Sequence, residues 1–518
     1  MLLGVVDQIL NCLVRLCLSI FLANFEITIV STSLVSITND LKSFGSSSWA
    51  VTAYLITYTS FMIIWAKLSD IFGRKPMISL AIFIFLVFSG GCGAVQTMAQ
   101  LIVCRAFQGL GGSGAYSLTL VILFEMVPPA RYPIYTVLVT IIFAFSLLMG
   151  PIFGGLINVH TKWIWVFLLN VPSGAIALIL LLITMPSNFP CESGSPRRMS
   201  YSMHHIDFLG AALLLAAVAL CVAGLEEAST LAAWTSRTVL APLVISAPLV
   251  IAFFTYEWLV TKREGRDQAE GRDNTQPIFP WRFCRSRVIM GIIINSFLVG
   301  VPFTTLVVQI PLRFQVVNNF TPLQAGLRLI PFSFACPTGA SLVAILASKR
   351  RLPPLYLMFA SATFQTIGLV LLSTLHPGNP DWKGQYGIQV ITGLGVGLAM
   401  GVTTLMMPFA IEARDLAIGT AAVAQFRLLG GAIGIAIVTA VMNSWLRGEF
   451  RGILTLGEVQ GIFKTTHVIE NLPVELQKEV RKLIVRGFNL QIRILLGFAG
   501  AQFLVAAGMW TREPILLA

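Results

Sequence analysis

Apolar stretches long enough to cross a membrane recur along the whole chain. A helix needs about 20 apolar residues to span a hydrocarbon core roughly 30 Å thick, and the runs are continuous rather than alternating, which favours helices over a β-barrel. Of all residues 56% are hydrophobic and 11% are charged. We therefore predict an all-α membrane protein with fourteen spans, near residues 10–37, 48–66, 77–97, 100–123, 134–157, 163–185, 207–225, 238–260, 288–312, 323–347, 354–375, 386–409, 416–443 and 491–510.

Basic residues lie mostly between the apolar runs, where they set the orientation of membrane helices. With the N-terminus placed in the cytoplasm, the inner loops hold seventeen Lys and Arg residues and the short outer loops hold five. Both termini are therefore predicted to be cytoplasmic, although the predicted long outer loop 444–490 is also basic. The net charge of +12 is explained by this topology, so we expect no nucleic-acid partner. The sequon at Asn319, in a predicted outer loop, is a candidate glycosylation site.

Landmarks in the first part of the chain recur in the second part at nearly constant spacing. FQGLGG at 107–112 is echoed by ITGLGVG at 391–397, and GPIFGG at 150–155 is echoed by GGAIGI at 430–435. Internal repeats are typical of secondary transporters, whose substrate site lies at the midplane between the halves. The spans then divide into a six-helix bundle, a linker with two extra spans and a basic cytoplasmic loop, and a second six-helix bundle, at residues 1–187, 188–286 and 287–518.

The segment KLSDIFGRKP concentrates charge between two apolar runs. Asp70 and Arg74 are four residues apart, so at a helix end they share a face and can form an ion pair. Gly73 allows a tight turn, and Arg131 on the next inner loop is a candidate partner for Asp70. The alternative is an ordinary positive inner loop in which Arg74 and Lys75 serve topology alone. That alternative does not explain Asp70 or Gly73.

Two charged residues lie inside predicted spans of the first half. Glu26 is a carboxylate near the middle of a span, where an acid costs roughly 3 kcal/mol on insertion scales and is functional by default. Burial favours its neutral form, which suits a group that binds and releases a proton. Arg105 keeps its proton, so it can bias a nearby acid or bind an anion, and Gln108 follows one turn along. The structural alternatives are an acid that reaches the membrane surface and an arginine that caps backbone carbonyls.

Glycine, proline and polar residues mark two further spans. One set permits close helix packing and a bend, because Pro removes a helical hydrogen bond and Gly lets backbones approach; it consists of Gly150, Pro151, Gly154 and Gly155. Its role is either gating or simple packing. In the second half, Gln425 and Arg427 form the polar centre of the thirteenth span. Together with Gln108 they are the predicted residues of the substrate pocket.

No motif predicts an enzyme or transport driven by ATP. The sequence has no P-loop and no Ser-His-Asp or paired-carboxylate arrangement, and the pair His204–His205 has no acid or Cys at metal-ligand spacing. The eight cysteines include no CxxC pair and are expected to be small buried hydrophobes. The N-terminal segment lacks a basic region and a cleavage site, so we expect a retained first span. We expect no metal and no cofactor, with a proton gradient as the source of energy.

Six motifs resemble those of a known family. KLSDIFGRKP resembles the loop between spans two and three of the major facilitator superfamily, CRAFQGLGGSGAYSL its fourth-span motif, and LLMGPIFGGLI the fifth-span motif of its proton-driven antiporters. FEITIVSTSLVSI, KWIWVFLLNVPSG and FTPLQAGLRLIPF resemble marks of the fourteen-span drug:proton antiporter branch in its fungal form. The first-span motif of that branch usually carries Asp where this chain has Glu26, which keeps an acid in place.

The resemblance implies both a fold and a function. The implied fold is the major facilitator fold, with two six-helix bundles plus two extra central helices. The implied function is a monomeric antiporter that exports small amphipathic compounds such as toxins, drugs or secondary metabolites in exchange for protons. In it the charged loop would hold the cytoplasmic side closed in one state, Arg105 would take part in proton coupling, and the GPIFGG segment would take part in gating. The alternative function is a proton-coupled importer of a nutrient or a metal chelate.

The resemblance also implies a setting in the cell. The expected location is the plasma membrane, with the vacuolar membrane as the alternative. The expected partners are the small-molecule substrate, protons and the lipid bilayer.

Overall fold

The computed structural model describes residues 2–41, 47–185, 207–229, 236–269, 277–318, 320–349, 352–375, 382–464 and 472–511, and within them every regular element is a helix. The α-helices in these ranges are α1 (Leu2–Asp40), α2 (Ser47–Ser60), α3 (Met62–Phe72), α4 (Arg74–Ala94), α5 (Met98–Met126), α6 (Tyr132–His160), α7 (Ile164–Leu168), α8 (Asn170–Thr184), α9 (Phe208–Ser229), α10 (Arg237–Ala269), α11 (Trp281–Arg285), α12 (Arg287–Asn318), α13 (Pro322–Leu327), α14 (Ile330–Lys349), α15 (Pro354–Ser373), α16 (Gly384–Ala410), α17 (Leu416–Phe450), α18 (Leu456–Lys464) and α19 (Val474–Gly508).

The described residues contain twelve to thirteen candidate membrane spans, where the sequence predicts fourteen. Twelve helical segments of the described chain are long and apolar enough to cross a membrane, and α2 with α3 makes a thirteenth, bent by 46°. Helix α1 contributes the described apolar stretch Leu16–Val30 in addition to these candidates.

The ends of several helices follow from local sequence. Thr97 and Thr321 each form a capping box with a Gln three residues later, which fixes the starts of α5 and α13. Gly73 separates α3 from α4 with φ 94°, a backbone conformation that favours glycine. The predicted turn in the charged loop is therefore present.

The amphipathic pattern of the segment NLPVELQKEVRKLIVRGF at residues 471–488 predicts a separate helix that lies on the outer surface. The described part of this segment does not form such a helix. It is the first part of α19, which continues without a break into the last span. Its apolar side chains pack against the end of α17 in a buried cluster that includes Met442, Phe450, Val480 and Ile484. The apolar stripe of this segment therefore faces a neighbouring helix of the protein. The described residues of the predicted outer loop 444–490 are mostly helical, in the end of α17, in α18 and in the start of α19.

The helices pack into a first group, α1 to α8, and a second group, α12 to α19, which meet along a few lines of contact. Helix α1 lies against α5, α6 and α8, and α4 lies against α5, while α12 lies against α16, α17 and α19. Contacts between the first and second groups run from α6 to α14 and from α3 and α5 to α17. Helices α9 and α10 pair with each other, and α9 touches both α2 and α17. The two extra helices thus lie beside the junction of the two groups.

Glycines allow the closest of these contacts. A side chain at Gly397 would place a Cβ 2.0 Å from the carbonyl oxygen of Cys336, where α16 crosses α14. A Cβ at Gly150 would lie 1.9 Å from Oγ1 of Thr28 and 2.9 Å from the backbone nitrogen of Ile29, where α6 crosses α1. Gly155 has no atom within 4 Å of such a Cβ. The lack of a side chain at Gly150 therefore permits the close approach of α6 to α1, whereas Gly155 of the same motif lies at no close contact.

We expect Gly150→Ala to destabilise the protein and Gly155→Ala to leave it unchanged. The new methyl group at residue 150 must push α6 away from the backbone of α1, and overpacking of this kind costs about 1–3 kcal/mol. Thermal unfolding of each purified variant measures the effect as a lower melting midpoint. Equal midpoints for the two variants would contradict the close approach of α1 and α6.

Candidate functional site

An ion pair between Glu26 of α1 and Arg105 of α5 lies at the centre of the first group of helices. Both side chains are fully buried, and Nη1 of Arg105 lies 2.6 Å from Oε1 of Glu26. The second carboxylate oxygen of Glu26 accepts a hydrogen bond from the side-chain amide of Asn170 in α8. Three helices therefore converge on one acid. Sequence reasoning singled out Glu26 and Arg105 but did not identify Asn170.

The remaining donors of Arg105 are mostly satisfied inside the same group of helices. Nε donates to the carbonyl of Ala50 at 2.9 Å, and Nη1 also donates to Oε1 of Gln108 at 2.7 Å. The guanidinium lies 4.3 Å from the ring centroid of Tyr54, a cation–π contact. A buried charge in an apolar interior is tolerated only with such partners.

Gln108 does not lie with the other two residues predicted for the substrate pocket. Its amide nitrogen donates to Ser89 of α4 at 2.8 Å, and its oxygen accepts from Arg105. Both partners belong to the first group of helices. Residues three apart share a helix face, so Gln108 follows Arg105 into the ion-pair cluster rather than facing the second group.

The charge of the Glu26–Arg105 pair would change if a proton bound to Glu26. Attraction between opposite charges is strong where water is absent. A proton on Glu26 would remove that attraction and leave Arg105 to its neutral partners. Of the Arg105 donors, Nη2 has no hydrogen-bond partner. Loss of the negative charge on Glu26 would therefore leave Arg105 without a carboxylate partner among the described residues.

The charged loop forms a second ion cluster, at the ends of α3, α4 and α5. Nη2 of Arg74 lies 2.6 Å from Oδ1 of Asp70 and 2.6 Å from Oε1 of Glu125, and its Nε donates to Oε2 of Glu125 at 2.9 Å. The predicted pair Asp70–Arg74 is present. Glu125 was not identified from the sequence, because nothing in the local pattern places the end of α5 beside this loop.

The other two cations of this region have different surroundings. Arg131 is exposed beside the start of α6 and takes part in none of the ion pairs among the described residues, so the expected pairing with Asp70 is wrong. Asp70 is paired with Arg74, which follows it directly across the turn at Gly73. Nζ of Lys75 donates to the carbonyls of Leu182 and Met185 at 2.8 and 2.6 Å. It thus satisfies the free carbonyl groups at the end of α8.

Gln425 and Arg427 connect α17 to the first group of helices. Oε1 of Gln425 accepts a hydrogen bond of 3.1 Å from the backbone N–H of Ile63, just after the break between α2 and α3. Nη2 of Arg427 donates to the hydroxyl of Tyr116 in α5 at 2.9 Å. The space beside Arg427 is too narrow for a water molecule. The structure therefore has the two groups of helices closed upon each other at the predicted pocket.

A line of aromatic rings crosses this junction. Tyr58, Tyr116 and Phe143 of the first group are followed by Phe303 and Phe332 of the second, with centroids 5.5 to 6.3 Å apart. Sequence reasoning did not identify these rings, because aromatic residues make up 10% of the chain and most are expected in apolar surroundings. No periodic pattern distinguishes the members of this line.

The GPIFGG segment lies where α6 meets both α1 and the second group of helices. Pro151 lies inside α6, and its Cβ is 3.8 Å from the position of a Cβ on Gly326 in α13. Gly154 is buried, and its carbonyl accepts from Asn158 at 2.7 Å.

The candidate glycosylation site Asn319 and the pair His204–His205 lie outside the described residues. Within the described ranges, no three His, Cys, Asp or Glu side chains form a group that could hold a metal ion.

Comparison with known proteins agrees with this architecture. Residues 16–435 match the sequence profile of the Major Facilitator Superfamily. The chain is 40% identical over 505 residues to the MFS-type transporter FPY5 of Fusarium mangiferae, covering 96% of this chain and 83% of the relative. It is 27% identical over 504 residues to the efflux pump bfoC of Aspergillus brasiliensis, covering 95% and 85%.

A solved structure shows the same fold. The inward-facing, unoccupied bacterial homologue of the human lysosomal transporter Spinster aligns with a TM-score of 0.61 at 14% identity, over 98% of this chain and 99% of the other. At that identity the likeness shows the fold alone. The match over more than four hundred residues and the helical architecture lead to one conclusion: this chain is a multi-pass membrane protein that belongs to the Major Facilitator Superfamily.

Proposed function

We propose that the protein is a proton-coupled antiporter that exports small amphipathic organic compounds across the plasma membrane. The observation that carries the proposal is the fully buried pair of Glu26 and Arg105, which the amide of Asn170 completes. An acid inside a membrane span is a functional site by default, and proton transfer is one of the established uses of such acids. The name of the relative from Aspergillus brasiliensis, an efflux pump, supports export as the direction.

The proposed cycle begins with a proton on Glu26. Protonation removes the negative charge that holds Nη1 of Arg105, so α1 and α5 are free to shift against each other. Helix α5 also carries Tyr116, the partner of Arg427 in α17. A shift of α5 therefore reaches the junction where the two groups of helices meet. In this way proton binding in one group can alter the closure around a substrate between the groups.

The cluster around Arg74 is proposed to keep one end of the junction closed. Its ion pairs tie α3, α4 and α5 into one unit, and α3 packs against α17. Oε1 of Gln425 extends this contact to the break at Ile63. If the ion pairs separate, α3 loses its fixed position and its hold on α17 weakens. The GPIFGG segment lies where α6 contacts α13. We propose that it helps to close the junction of the two groups of helices along this contact.

We further propose that α1 is the fourteenth span. It runs for 39 residues, it packs along α6, and it carries the proposed proton site. With the twelve clear spans and the bent pair α2–α3, this gives six spans on each side of α9 and α10. A monomer is then a complete transport unit, because both groups of helices come from one chain.

Vesicles with an imposed pH gradient test the function. The purified protein in liposomes with an acidic lumen should accumulate a fluorescent amphipathic dye from a more alkaline bath, because protons leave as the dye enters. A panel of cationic, neutral and anionic dyes supplies the substrate. An uncoupler should abolish accumulation, and ATP should have no effect. Accumulation only when the bath is the more acidic side would indicate the alternative, a proton-coupled importer.

Glu26→Gln should abolish accumulation driven by the pH gradient while downhill exchange of the same dye continues. Glutamine cannot carry the proton, whereas Glu26→Asp keeps an acid and should retain much of the activity. Because the single Gln variant leaves a buried arginine without its counter-ion, it is expected to cost about 3–5 kcal/mol of stability. The matched control is the double variant Glu26→Gln with Arg105→Gln, which removes both charges. A double variant that folds and still concentrates dye as wild type does would place the proton site elsewhere.

Arg74→Ala should reduce transport at least about tenfold without loss of protein from the membrane. The change removes the arginine that Asp70 and Glu125 share. A shift of about 1.4 kcal/mol in the conformational equilibrium is already a tenfold effect. Arg131→Ala is the matched control, since Arg131 is exposed. Dye flux per molecule of protein is measured for both. Equal flux in the two variants would show that the Arg74 cluster does not control closure.

A further inference from the structure

Arg427 is a buried cation at the junction of the two groups of helices. Its side chain is 5% exposed. Nη2 donates to the hydroxyl of Tyr116 at 2.9 Å and Nη1 to Oγ1 of Thr404 at 3.2 Å, while Nε has no hydrogen-bond partner. All of its partners are neutral. A guanidinium in such surroundings retains a full positive charge, because Arg does not lose its proton in proteins.

Among the described residues two other arginines are buried, and both have counter-ions. Arg105 is paired with Glu26, and Arg74 with Asp70 and Glu125. Arg427 belongs to none of the ion pairs formed among the described residues. An unpaired buried charge is costly, and buried polar groups without partners call for an explanation. An anionic group that arrives from outside the protein would provide the missing counter-ion.

The surroundings of Arg427 indicate what else that anion would carry. The guanidinium lies 5.8 Å from the ring centroid of Phe143, which continues the aromatic line through Tyr116 and Phe303. The adjoining space is lined by apolar side chains and by two hydroxyl groups, those of Thr404 and Thr420. Oγ1 of Thr420 also has no partner. One cation and a few hydroxyls beside aromatic rings fit an acid group attached to a ring system.

We propose that Arg427 binds the acid group of the exported compound, so that the substrates are amphipathic aromatic acids rather than lipophilic cations. This inference rests on the proposed export function and names the substrate class of the same site. When α17 moves away from α5, Arg427 loses Tyr116 and presents free N–H donors in the forked geometry that suits a carboxylate. The acid group then replaces the hydroxyl of Tyr116. Substrate binding and separation of the two groups of helices thereby use the same donor.

A pair of probes that differ only in the acid group tests the proposal. The full-length protein in lipid nanodiscs is titrated against 9-anthracenecarboxylate and 9-anthracenecarboxamide, and binding is followed by fluorescence anisotropy. Wild type should bind the acid at least about tenfold more tightly, the size expected of one charge-assisted hydrogen bond. Arg427→Gln should bind the two probes equally. Arg427→Lys should keep a smaller preference, because ammonium retains the charge but not the fork.

Two further variants separate this effect from loss of fold and from surface charge. Tyr116→Phe removes the competing hydroxyl and should bind the acid as tightly as wild type or more tightly, which keeps the proposal testable if Arg427→Gln does not fold. Arg328→Gln is the matched control, since Arg328 stacks on Phe320, 3.6 Å from its ring centroid, away from Tyr116. It should keep the full preference for the acid.

Three results would overturn the proposal. They are equal affinity of wild type for the two probes, a preference that survives Arg427→Gln, and tighter binding of the cationic analogue 9-anthrylmethylammonium. The measurement uses no proton gradient, so it is independent of the vesicle experiments. Equal affinities would contradict the proposed substrate class but not proton-driven export. Failure of export in the vesicle experiments would contradict the proposed function but not the binding result.

Discussion

The pairing of buried charge inside an apolar helical bundle is the constraint on which the rest of the structure depends. A membrane interior offers no water to a charged side chain, so each charge must meet a partner. Glu26 and Arg105 meet this requirement together, and Asn170 with the carbonyl of Ala50 completes it. The pair thereby fixes the rotation of α1, α5 and α8 about their axes. A proton that cancels one charge changes all three contacts.

The junction between the two groups of helices has a different basis. It is held by ring contacts and by single hydrogen bonds, such as the one that Arg427 donates to the hydroxyl of Tyr116 and the one that Oε1 of Gln425 accepts from the backbone N–H of Ile63. A neutral hydrogen bond contributes about 1 kcal/mol net and one with a charged group about 1.5–3 kcal/mol, whereas breaking a buried ion pair costs about 3–5 kcal/mol. These contacts therefore separate more readily than the Glu26–Arg105 pair.

Much of this architecture could be predicted from the sequence because the signals are local. The apolar runs predicted most of the candidate spans to within a few residues, although α19 begins at Val474, well before the predicted start of the last span at 491. The four-residue spacing of Asp70 and Arg74 predicted their ion pair. The amphipathic start of α19 was misread as a surface helix. Its apolar stripe is the same whether it faces lipid headgroups or α17, and periodicity alone cannot distinguish the two.

By itself the sequence determined which residues are charged inside spans, where helices break and where glycines allow close approach, since each of these is a property of a short segment. Only the tertiary structure decided which charges meet. Asp70 paired with Arg74 and not with Arg131, Glu125 joined the same arginine, and Gln108 joined Arg105 rather than the pocket. Among the described residues, Arg427 has hydroxyl partners and no carboxylate. These contacts join separate helices, and their register and rotation come from packing over the whole bundle.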